Sequence, residues 1–334
     1  MHGAFQGSFR QSVSRLWTQP HITYWPATGY GETNKDAACD WLRRTTIEQS
    51  ESMNKTRSIL IFTDLDGTLL DHDSADWKPA EAALQLAQSR GIPIIFSCSR
   101  TFEECVQLQQ QMNLRGPLIF ENGAGVALPQ AQFRRPSAPA TDEQDGFWIC
   151  RVAQPYANVR AILQSLRQTK HYQFRGFGDM SELQIADYTN LPFPMAQLAK
   201  KRRHTEILYW LDDAKSFDAF AKDVEKQGLK LSRGSHAIQI GSPCDKGQAM
   251  RWVVSLYQKL LGSKPVVAAI GDTSNDLPML QSADFAVVVR SPHAIPLKYR
   301  PANPGQHCTV TDEPGPVGWN RAVKRLLEEM SVPA

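Results

Sequence analysis

The chain has 334 residues, 21% of them charged, and a formal net charge of +3. That length can bury a large core and more than one domain, and so small a net charge does not imply a polyanionic partner such as nucleic acid. The six cysteines contain no C-x-x-C pair, and no apolar run is long enough for a membrane helix. These features favour a cytoplasmic protein with reduced thiols and with neither a nucleic-acid nor a membrane partner. They leave the oligomeric state open.

Residues 1–53 show no sustained hydrophobic period, and we expect a poorly ordered N-terminal extension that is dispensable for chemistry. Two alternatives stay open. Arg10 and Arg15 lie among serines ahead of any acidic residue, which is faintly like an organelle transit segment. Translation could also begin at Met53, just before the first predicted strand.

Strands and helices then alternate along the chain. Strands are predicted over 59–63, 92–96 and 117–121, with helices over 79–90 and 102–112 between them. This order predicts a parallel sheet with right-handed crossovers.

A polar, proline-bearing stretch over 129–146 breaks that pattern. Beyond it we predict an inserted α+β domain, with helices over 159–168 and 216–227 and strands over 206–211 and 237–240. The core pattern resumes at 245 and adds strands over 266–270 and 285–289. The predicted division is therefore a core of 54–128 and 242–334 with an inserted domain over 129–241.

Acidic residues follow two of the predicted strands. Asp64 and Asp66 come directly after the first, and Asp272 and Asp276 follow the late strand over 266–270. Two carboxylates one residue apart repel each other, and burial makes that worse. A chain keeps such a pair where a hard cation lies between them or where one is a nucleophile. For the first pair alone, a surface Asp-Gly turn is the alternative.

Two further segments favour a phosphoryl site. Lys246 opens a predicted helix, and the strand over 92–96 ends in a hydroxyl-rich turn at 97–101. In an open parallel sheet such strand ends converge on one crevice. Two acidic strand ends, a lysine and this turn together predict a site for a metal-bound phosphoryl group. A surface ammonium is the alternative for Lys246.

These four segments resemble the motifs of the haloacid dehalogenase (HAD) phosphatase superfamily, over residues 57 to 330. D-x-D-G-T is matched at 64–68, the lysine motif at Lys246 and G-D-x-x-N-D at 271–276. In the fourth motif Cys98 stands where the family usually has a hydroxyl, followed by Ser99 and Arg100. Since a thiol is a weak donor, Ser97, Ser99 or backbone amides could carry that phosphate contact. The resemblance implies an α/β fold, with a Rossmannoid parallel core and an inserted α+β cap.

Finer features resemble the mannosyl-3-phosphoglycerate phosphatases, at 71–77, 91–96, 99–101, 121–124, 203–206 and 315–319. We therefore predict a magnesium-dependent hydrolase that releases phosphate from mannosyl-3-phosphoglycerate, in mannosylglycerate biosynthesis. One alternative keeps the chemistry and changes the substrate to another glycosyl-phosphoglycerate, a sugar phosphate or a small phosphometabolite. A non-catalytic binding protein on the same fold is the other.

The residue types and the resemblance imply the roles. Asp64 would attack phosphorus to form an aspartyl-phosphate, Asp66 would be general acid and then base, and Lys246 would neutralise negative charge. The predicted Mg²⁺ shell contains Asp64, Asp66 through its backbone carbonyl, and Asp272, with Asp276 and Asn275 orienting it from outside.

We predict that a small anionic phosphorylated substrate contacts Cys98, Ser99, Arg100, Asn122, Arg175, Arg203 and Glu206. Arg203, then Arg175, would bind a substrate carboxylate, and Glu206 would accept sugar hydroxyls. Alternatives stay open for three of these positions. Arg203 could belong to a solvated basic run, Asn122 could be a turn residue, and the loop over 175–179 could be a lid or an ordinary connection.

Overall fold

The structure is a computed structural model, and it describes residues 58–137, 139–233, 237–292, 297–302 and 304–330. The predicted N-terminal extension lies outside these residues. The strands are β1 (Ile59–Thr63), β2 (Ile94–Ser97), β3 (Leu118–Phe120), β4 (Gly125–Pro129), β5 (Thr141–Gln144), β6 (Phe147–Arg151), β7 (Phe174–Gly176), β8 (Glu206–Trp210), β9 (Lys230–Arg233), β10 (Ile238–Gly241), β11 (Val266–Gly271), β12 (Phe285–Arg290) and β13 (His307–Pro314).

The helices are α1 (Glu81–Ser89), α2 (Phe102–Gln111), α3 (Tyr156–Lys170), α4 (Glu182–Thr189), α5 (Phe193–Ala199), α6 (Ala214–Lys226), α7 (Lys246–Leu261), α8 (Leu277–Ser282) and α9 (Gly315–Glu329). Short 3₁₀ turns form at Lys78–Ala80, Glu121–Gly123, Phe177–Asp179 and Ser274–Asp276. No helix among the described residues is both long enough and apolar enough to span a membrane.

A nine-stranded sheet forms the core, in the order β13-β12-β11-β1-β2-β3-β4-β6-β5. The strands from β13 to β3 pair in parallel, and β4, β6 and β5 extend the sheet antiparallel. The chain leaves β1 towards β2 and leaves β11 towards β12, so the strand order reverses between β1 and β11. Ligands of open α/β sheets bind at such a reversal, outside the carboxyl ends of the strands.

Both faces of this sheet are buried, which explains the continuous apolar run of β1. Ile61 packs with α1, α2 and α9 on one face, whereas Leu60 and Phe62 pack with α7 and α8 on the other. Trp319 of α9 is fully buried and donates its indole N–H to the Thr63 hydroxyl at 2.9 Å. The last helix therefore braces the end of β1, next to Asp64.

A second, four-stranded antiparallel sheet has the order β7-β8-β10-β9. Apolar residues of α3 and α6 pack on one of its faces. On the opposite face, α4 and α5 pack against Ile207 and Tyr209 of β8. We call this module, residues 156–241, the cap.

The predicted strands and helices are confirmed, with bounds that differ by at most three residues and coincide for β1. The start of the inserted domain is not at 129, because β5 and β6 pair with each other and with β4 in the core sheet. The sequence of β5, Thr-Asp-Glu-Gln, has no apolar alternation, since this strand lies at the sheet edge and none of its residues is buried. The cap begins only after Arg151.

Candidate active site

Asp64 lies at the reversal of the strand order. Its backbone N–H donates to the Ile270 carbonyl at 2.9 Å, which fixes it beside the end of β11. Lys246, the first residue of α7, is fully buried and donates to Asp64 Oδ1 at 2.6 Å and to Asp276 Oδ1 at 2.7 Å. One ammonium therefore joins the acidic ends of both central strands, and the surface alternative for Lys246 is excluded.

Asp276 orders the loop after β11. Its second oxygen accepts the backbone N–H groups of Asp272 and Thr273, at 3.1 and 3.0 Å. Asp272 in turn accepts the Thr68 hydroxyl at 3.2 Å. Gly67 has φ +79°, and a Cβ there would lie 2.6 Å from Asp272 Oδ2, so glycine lets the two acidic loops approach each other.

One carboxylate oxygen each from Asp64, Asp272 and Asp276 lies within 4.8 Å of the others, and all three residues are buried. Burial, and next the charge of Asp276, raise the pKa of Asp272 to about 7. Burial also raises the pKa of Asp64 well above its usual range, and Lys246 offsets only part of that. Burial alone would lower the pKa of Lys246, but Asp276 and Asp64 raise it above its ordinary value. The ammonium therefore stays charged.

Three buried carboxylates and one ammonium leave negative charge uncompensated. Oxygen ligands in this number suit a hard divalent cation, which would supply the missing positive charge. The residues present therefore fit Mg²⁺. Asp276 already accepts hydrogen bonds at both oxygens, which suits the predicted role outside the metal's own ligands.

Asp66 has a different environment. Its side chain is 45% exposed, and Arg100 donates to its two oxygens at 3.1 Å from Nε and at 2.6 Å from Nη2. Partial burial acts to raise the pKa of Asp66, but the charge and hydrogen bonds of Arg100 outweigh it and lower the pKa below the usual range. The structure thus brings Arg100 into the site, as the partner of Asp66.

Cys98 does not line this site. Its side chain is fully buried in the apolar cluster beneath α1 and α2, and its Sγ lies 3.3 Å from Sγ of Cys105. Its backbone N–H donates to the Ile119 carbonyl at 3.0 Å, so that amide is also engaged. The predicted substrate contact of Cys98 is therefore not present. Ser99 is half-buried at the turn, and its carbonyl accepts from Arg202 at 2.9 Å.

Asn122 connects the catalytic loop to the cap. Its Nδ2 donates to Gln239 Oε1 of β10 at 2.7 Å, and its Oδ1 accepts from Asn275 Nδ2 at 3.3 Å. Asn275 also accepts the Thr273 hydroxyl at 2.6 Å. Asn122 and Asn275, both predicted site residues, are therefore close together. Gln239 was not predicted.

Arg203 is held by the core. Its Nη2 donates to Glu103 Oε1 at 2.7 Å and to Gln144 Oε1 at 2.6 Å, and its guanidinium lies 5.0 Å from the Phe102 ring centroid. A guanidinium with these partners is not the predicted free fork for a carboxylate. It is also not the solvated basic residue of the alternative, because its side chain is only 24% exposed.

Glu206 and Arg175 are likewise engaged within the cap. Glu206 is fully buried and accepts from the Tyr156 hydroxyl at 2.9 Å and from Arg160 Nη1 at 2.8 Å. Arg175 instead contacts the ring of Tyr188 on α4, at 5.7 Å from its centroid. Glu206 is therefore not placed as predicted for binding sugar hydroxyls, whereas the predicted role of Arg175 stays a prediction.

The loop over 175–179 contributes Asp179, a second carboxylate that accepts from Arg160, as Glu206 does. Asp179 accepts from Arg160 and Arg167 and from the Gly176 amide, which favours an ordinary connection over a lid. Arg160 and Asp179 could not be found from sequence, since nothing local pairs them.

Comparison with known families agrees with this architecture. The model of the haloacid dehalogenase-like hydrolase family matches residues 61–295, from the first strand to beyond β12. That match covers well over half of the chain and includes the acidic loops and Lys246. The chain belongs to the haloacid dehalogenase-like hydrolases.

Similarity to a curated relative narrows the chain's position within these hydrolases. The chain is 33% identical over 274 residues to a glucosyl-3-phosphoglycerate/mannosyl-3-phosphoglycerate phosphatase of Persephonella marina, covering 81% of this chain and 98% of the relative. Together with the family match, this shows that the protein is a phosphatase of the HAD superfamily, near the glucosyl-3-phosphoglycerate/mannosyl-3-phosphoglycerate phosphatases.

Solved structures share the fold. A protein from Thermoplasma acidophilum matches with a TM-score of 0.57 at 15% identity, over 82% of this chain and 98% of that chain. The sucrose-phosphatase of Synechocystis matches with a TM-score of 0.51 at 15% identity, over 80% and 98% respectively. At these identities the likeness shows the fold alone.

Proposed function

We propose that this phosphatase is magnesium-dependent and hydrolyses glycosyl-3-phosphoglycerates, with mannosyl-3-phosphoglycerate as the favoured substrate and mannosylglycerate as the product. The observation that carries the chemistry is the buried set of Asp64, Lys246, Asp272 and Asp276 beside the half-exposed Asp66. The substrate class comes from the named activity of the Persephonella marina relative.

Asp64 is the nucleophile. Lys246 holds one of its oxygens, and the other attacks phosphorus while the bond from phosphorus to the leaving oxygen breaks. Asp66 gives its proton to that leaving oxygen. Asp66 then takes a proton from the water that attacks the aspartyl-phosphate, which breaks the bond between Asp64 and phosphorus, releases inorganic phosphate and restores the Asp64 carboxylate. Asp66 is left protonated, and it loses that proton to solvent once phosphate has departed.

Arg100 sets the protonation of Asp66. In the free protein it lowers the pKa of Asp66, so that carboxyl group is ionised. A phosphate dianion arriving beside it repels the negative form and competes for Arg100, and both effects raise the pKa. Substrate binding therefore favours protonation of Asp66, which then holds the proton that the leaving oxygen needs.

The metal would be held by the carboxylates of Asp64 and Asp272 and the backbone carbonyl of Asp66, with Asp276 and Asn275 orienting these groups. When bound, it supplies positive charge that offsets the crowded carboxylates and the charge on the transferring phosphoryl group.

A phosphate-release assay tests this proposal on mannosyl- and glucosyl-3-phosphoglycerate, several sugar phosphates and p-nitrophenyl phosphate, each with Mg²⁺ and with EDTA. We expect a preference for the glycosyl-3-phosphoglycerates that requires Mg²⁺. Asp64→Asn should abolish turnover, because an amide cannot form the acyl-phosphate. Asp66→Asn should lower turnover of the sugar esters by roughly a hundred- to ten-thousandfold and that of the aryl ester less, since its leaving group is better.

Asp218→Asn, on the exposed surface of α6, is the matched control and should keep wild-type rates. Wild-type turnover by Asp64→Asn would remove the nucleophile. Equal rates on all the phosphomonoesters would leave a phosphatase without the proposed substrate class.

A further inference from the structure

A small polar cavity of about 20 Å³, open to solvent, lies where β9 and β10 of the cap face the Glu121–Gly123 turn of the core. Its lining includes the side chains of Lys230, Ser232 and Gln239 from the cap and Asn122 from the core. None of the three cap residues has a role in the chemistry described above.

Strand alternation explains why these polar groups share one face. Leu231, Ile238 and Ile240 pack into the apolar cluster beneath α3 and α6. Their neighbours Lys230, Ser232 and Gln239 therefore point to the opposite face of the sheet, because successive residues of a strand alternate. On that face α4 and α5 pack against β8, whereas β9 and β10 border the cavity.

This cavity adjoins the catalytic loop. Asn122 is part of its lining and bonds both Gln239 and Asn275. Asn275 lies in the loop of Asp272 and Asp276, whose carboxylates belong to the buried acidic set. A substrate with its phosphoryl group at Asp64 can therefore extend its remaining atoms towards β9 and β10.

The charges in the cavity identify its ligand. Lys230 is the one basic residue among the described residues of the lining, and it is exposed. Glu121 also borders the cavity, but its oxygens accept the backbone amides of Arg203, His204 and Thr205, at 2.8, 3.1 and 2.7 Å. The cavity thus offers an ammonium with hydroxyl and amide groups around it, which suits a carboxylate attached to a polyhydroxyl group.

We propose that Lys230 binds the carboxylate of the phosphoglycerate unit, and that Ser232 and Gln239 hydrogen-bond the sugar. This rests on the proposed function and names the residues that discriminate its substrate. It assigns to β9 and β10 the role that the sequence assigned to Arg203 and Glu206, whose side chains are engaged elsewhere.

The test compares steady-state kinetics on mannosyl-3-phosphoglycerate and on mannosyl-3-phosphoglycerol, in which a hydroxymethyl group replaces the carboxylate. Lys230→Met should lower kcat/KM for the carboxylate substrate by roughly ten- to a hundredfold, mainly through KM, as loss of a charge-assisted bond does. The loss on the glycerol analogue should be at least several-fold smaller. Lys230→Arg should retain most of the discrimination because it keeps the positive charge.

Lys222→Ala is the matched control, since Lys222 is exposed on α6, which packs on the opposite face of the cap sheet. It should change neither substrate's kinetics. Equal losses on both substrates in Lys230→Met, or the same selective loss in Lys222→Ala, would overturn the assignment of Lys230. If the wild-type enzyme prefers the carboxylate substrate and Lys230→Met keeps that preference, the assignment also fails while the proposed function stands. If the wild-type enzyme shows no preference for the carboxylate substrate, the assignment of Lys230 fails; if it hydrolyses neither substrate, the proposed function fails.

Discussion

His204 is fully buried where the chain enters β8. Its Nδ1 lies 3.1 Å from the Gln154 carbonyl, and its Nε2 has no hydrogen-bond partner among the residues that the structure describes. Burial lowers the pKa of His204, and this outweighs the opposing charge of Glu121. The imidazole is therefore neutral in the folded protein, donating to Gln154 through Nδ1–H.

This has a pH-dependent consequence. Because the folded pKa lies below the unfolded value of about 6.5, the unfolded chain binds the proton first as the pH falls. The stability contributed by the neutral ring is complete above about pH 6.5 and is lost as the pH falls through the folded pKa. His204→Asn keeps a donor for Gln154 but cannot titrate, so its free energy of unfolding should fall less steeply between pH 7 and 5. The difference in slope should reach at most about 1.4 kcal/mol per pH unit.

Urea denaturation at pH 5 to 8 measures both slopes. His171→Asn is the control, because His171 is exposed and takes the left-handed conformation that asparagine tolerates. If His204→Asn kept the wild-type slope, the ring would not be buried in its neutral form.

At this scale the sequence located the reacting groups better than the binding groups. Asp64, Lys246 and Asp272 could be predicted because each follows a strand or opens a helix, and the topology brings such ends together. Arg203 could not, since its partner Glu103 is 100 residues away and nothing local indicates it. The position of Lys230 could have been predicted in part, because the alternation of apolar and polar residues around Leu231 already directs the Lys230 side chain away from the apolar face of the cap sheet.

At the scale of elements, the turn after β3 holds the cap to the core. Glu121, Asn122 and Gly123 have φ values of +49°, +58° and +91°. This left-handed turn directs the Glu121 carboxylate to the amides that precede β8 and to the Thr205 hydroxyl, at 2.6 Å from the latter. The Glu121 carboxylate thus supplies hydrogen-bond acceptors for three backbone N–H groups that would otherwise lack a partner.

Glu121→Gln should therefore destabilise the protein. The amide nitrogen that replaces one carboxylate oxygen cannot accept a hydrogen bond, which leaves at least one buried backbone N–H unpaired. We expect the free energy of unfolding to fall by about 1–3 kcal/mol. Glu143→Gln on the exposed strand β5 is the matched control and should change it by less than about 0.5 kcal/mol. Equal stabilities of the two variants in urea denaturation would contradict the role of Glu121 as an anchor.

The elements that could be predicted are those with a clear hydrophobic period, such as β1, α2 and β11. The edge strands β5 and β13 were missed, because an edge strand exposes most of its residues and loses the apolar alternation. For the same reason the boundary of the inserted domain was placed too early. Strand pairing across the sheet, not composition, decides where the cap begins.

At the scale of the whole molecule, the acidic site exists only in the folded chain. Thr68 and Asp272 are hydrogen-bonded although 204 residues separate them, so the unfolded chain cannot assemble the same ligand set. A cation held there stabilises the folded state by mass action. Without a bound cation the site also costs stability, because three carboxylates crowd one ammonium.

Mg²⁺ should therefore raise the free energy of unfolding of the wild-type protein, by about 2.7 kcal/mol at a free concentration of one hundred times Kd. Asp272→Asn should lose this response and should be at least as stable as the wild type in EDTA, because one of the crowded charges is gone. Thermal unfolding with EDTA and with increasing Mg²⁺ measures both effects, without any assay of turnover. Asp312→Asn, at an exposed position of β13, is the control and should respond to Mg²⁺ as the wild type does. If Mg²⁺ raised the melting temperature of Asp272→Asn as much as that of the wild type, the cation would bind elsewhere, and the acidic set would not be the metal site.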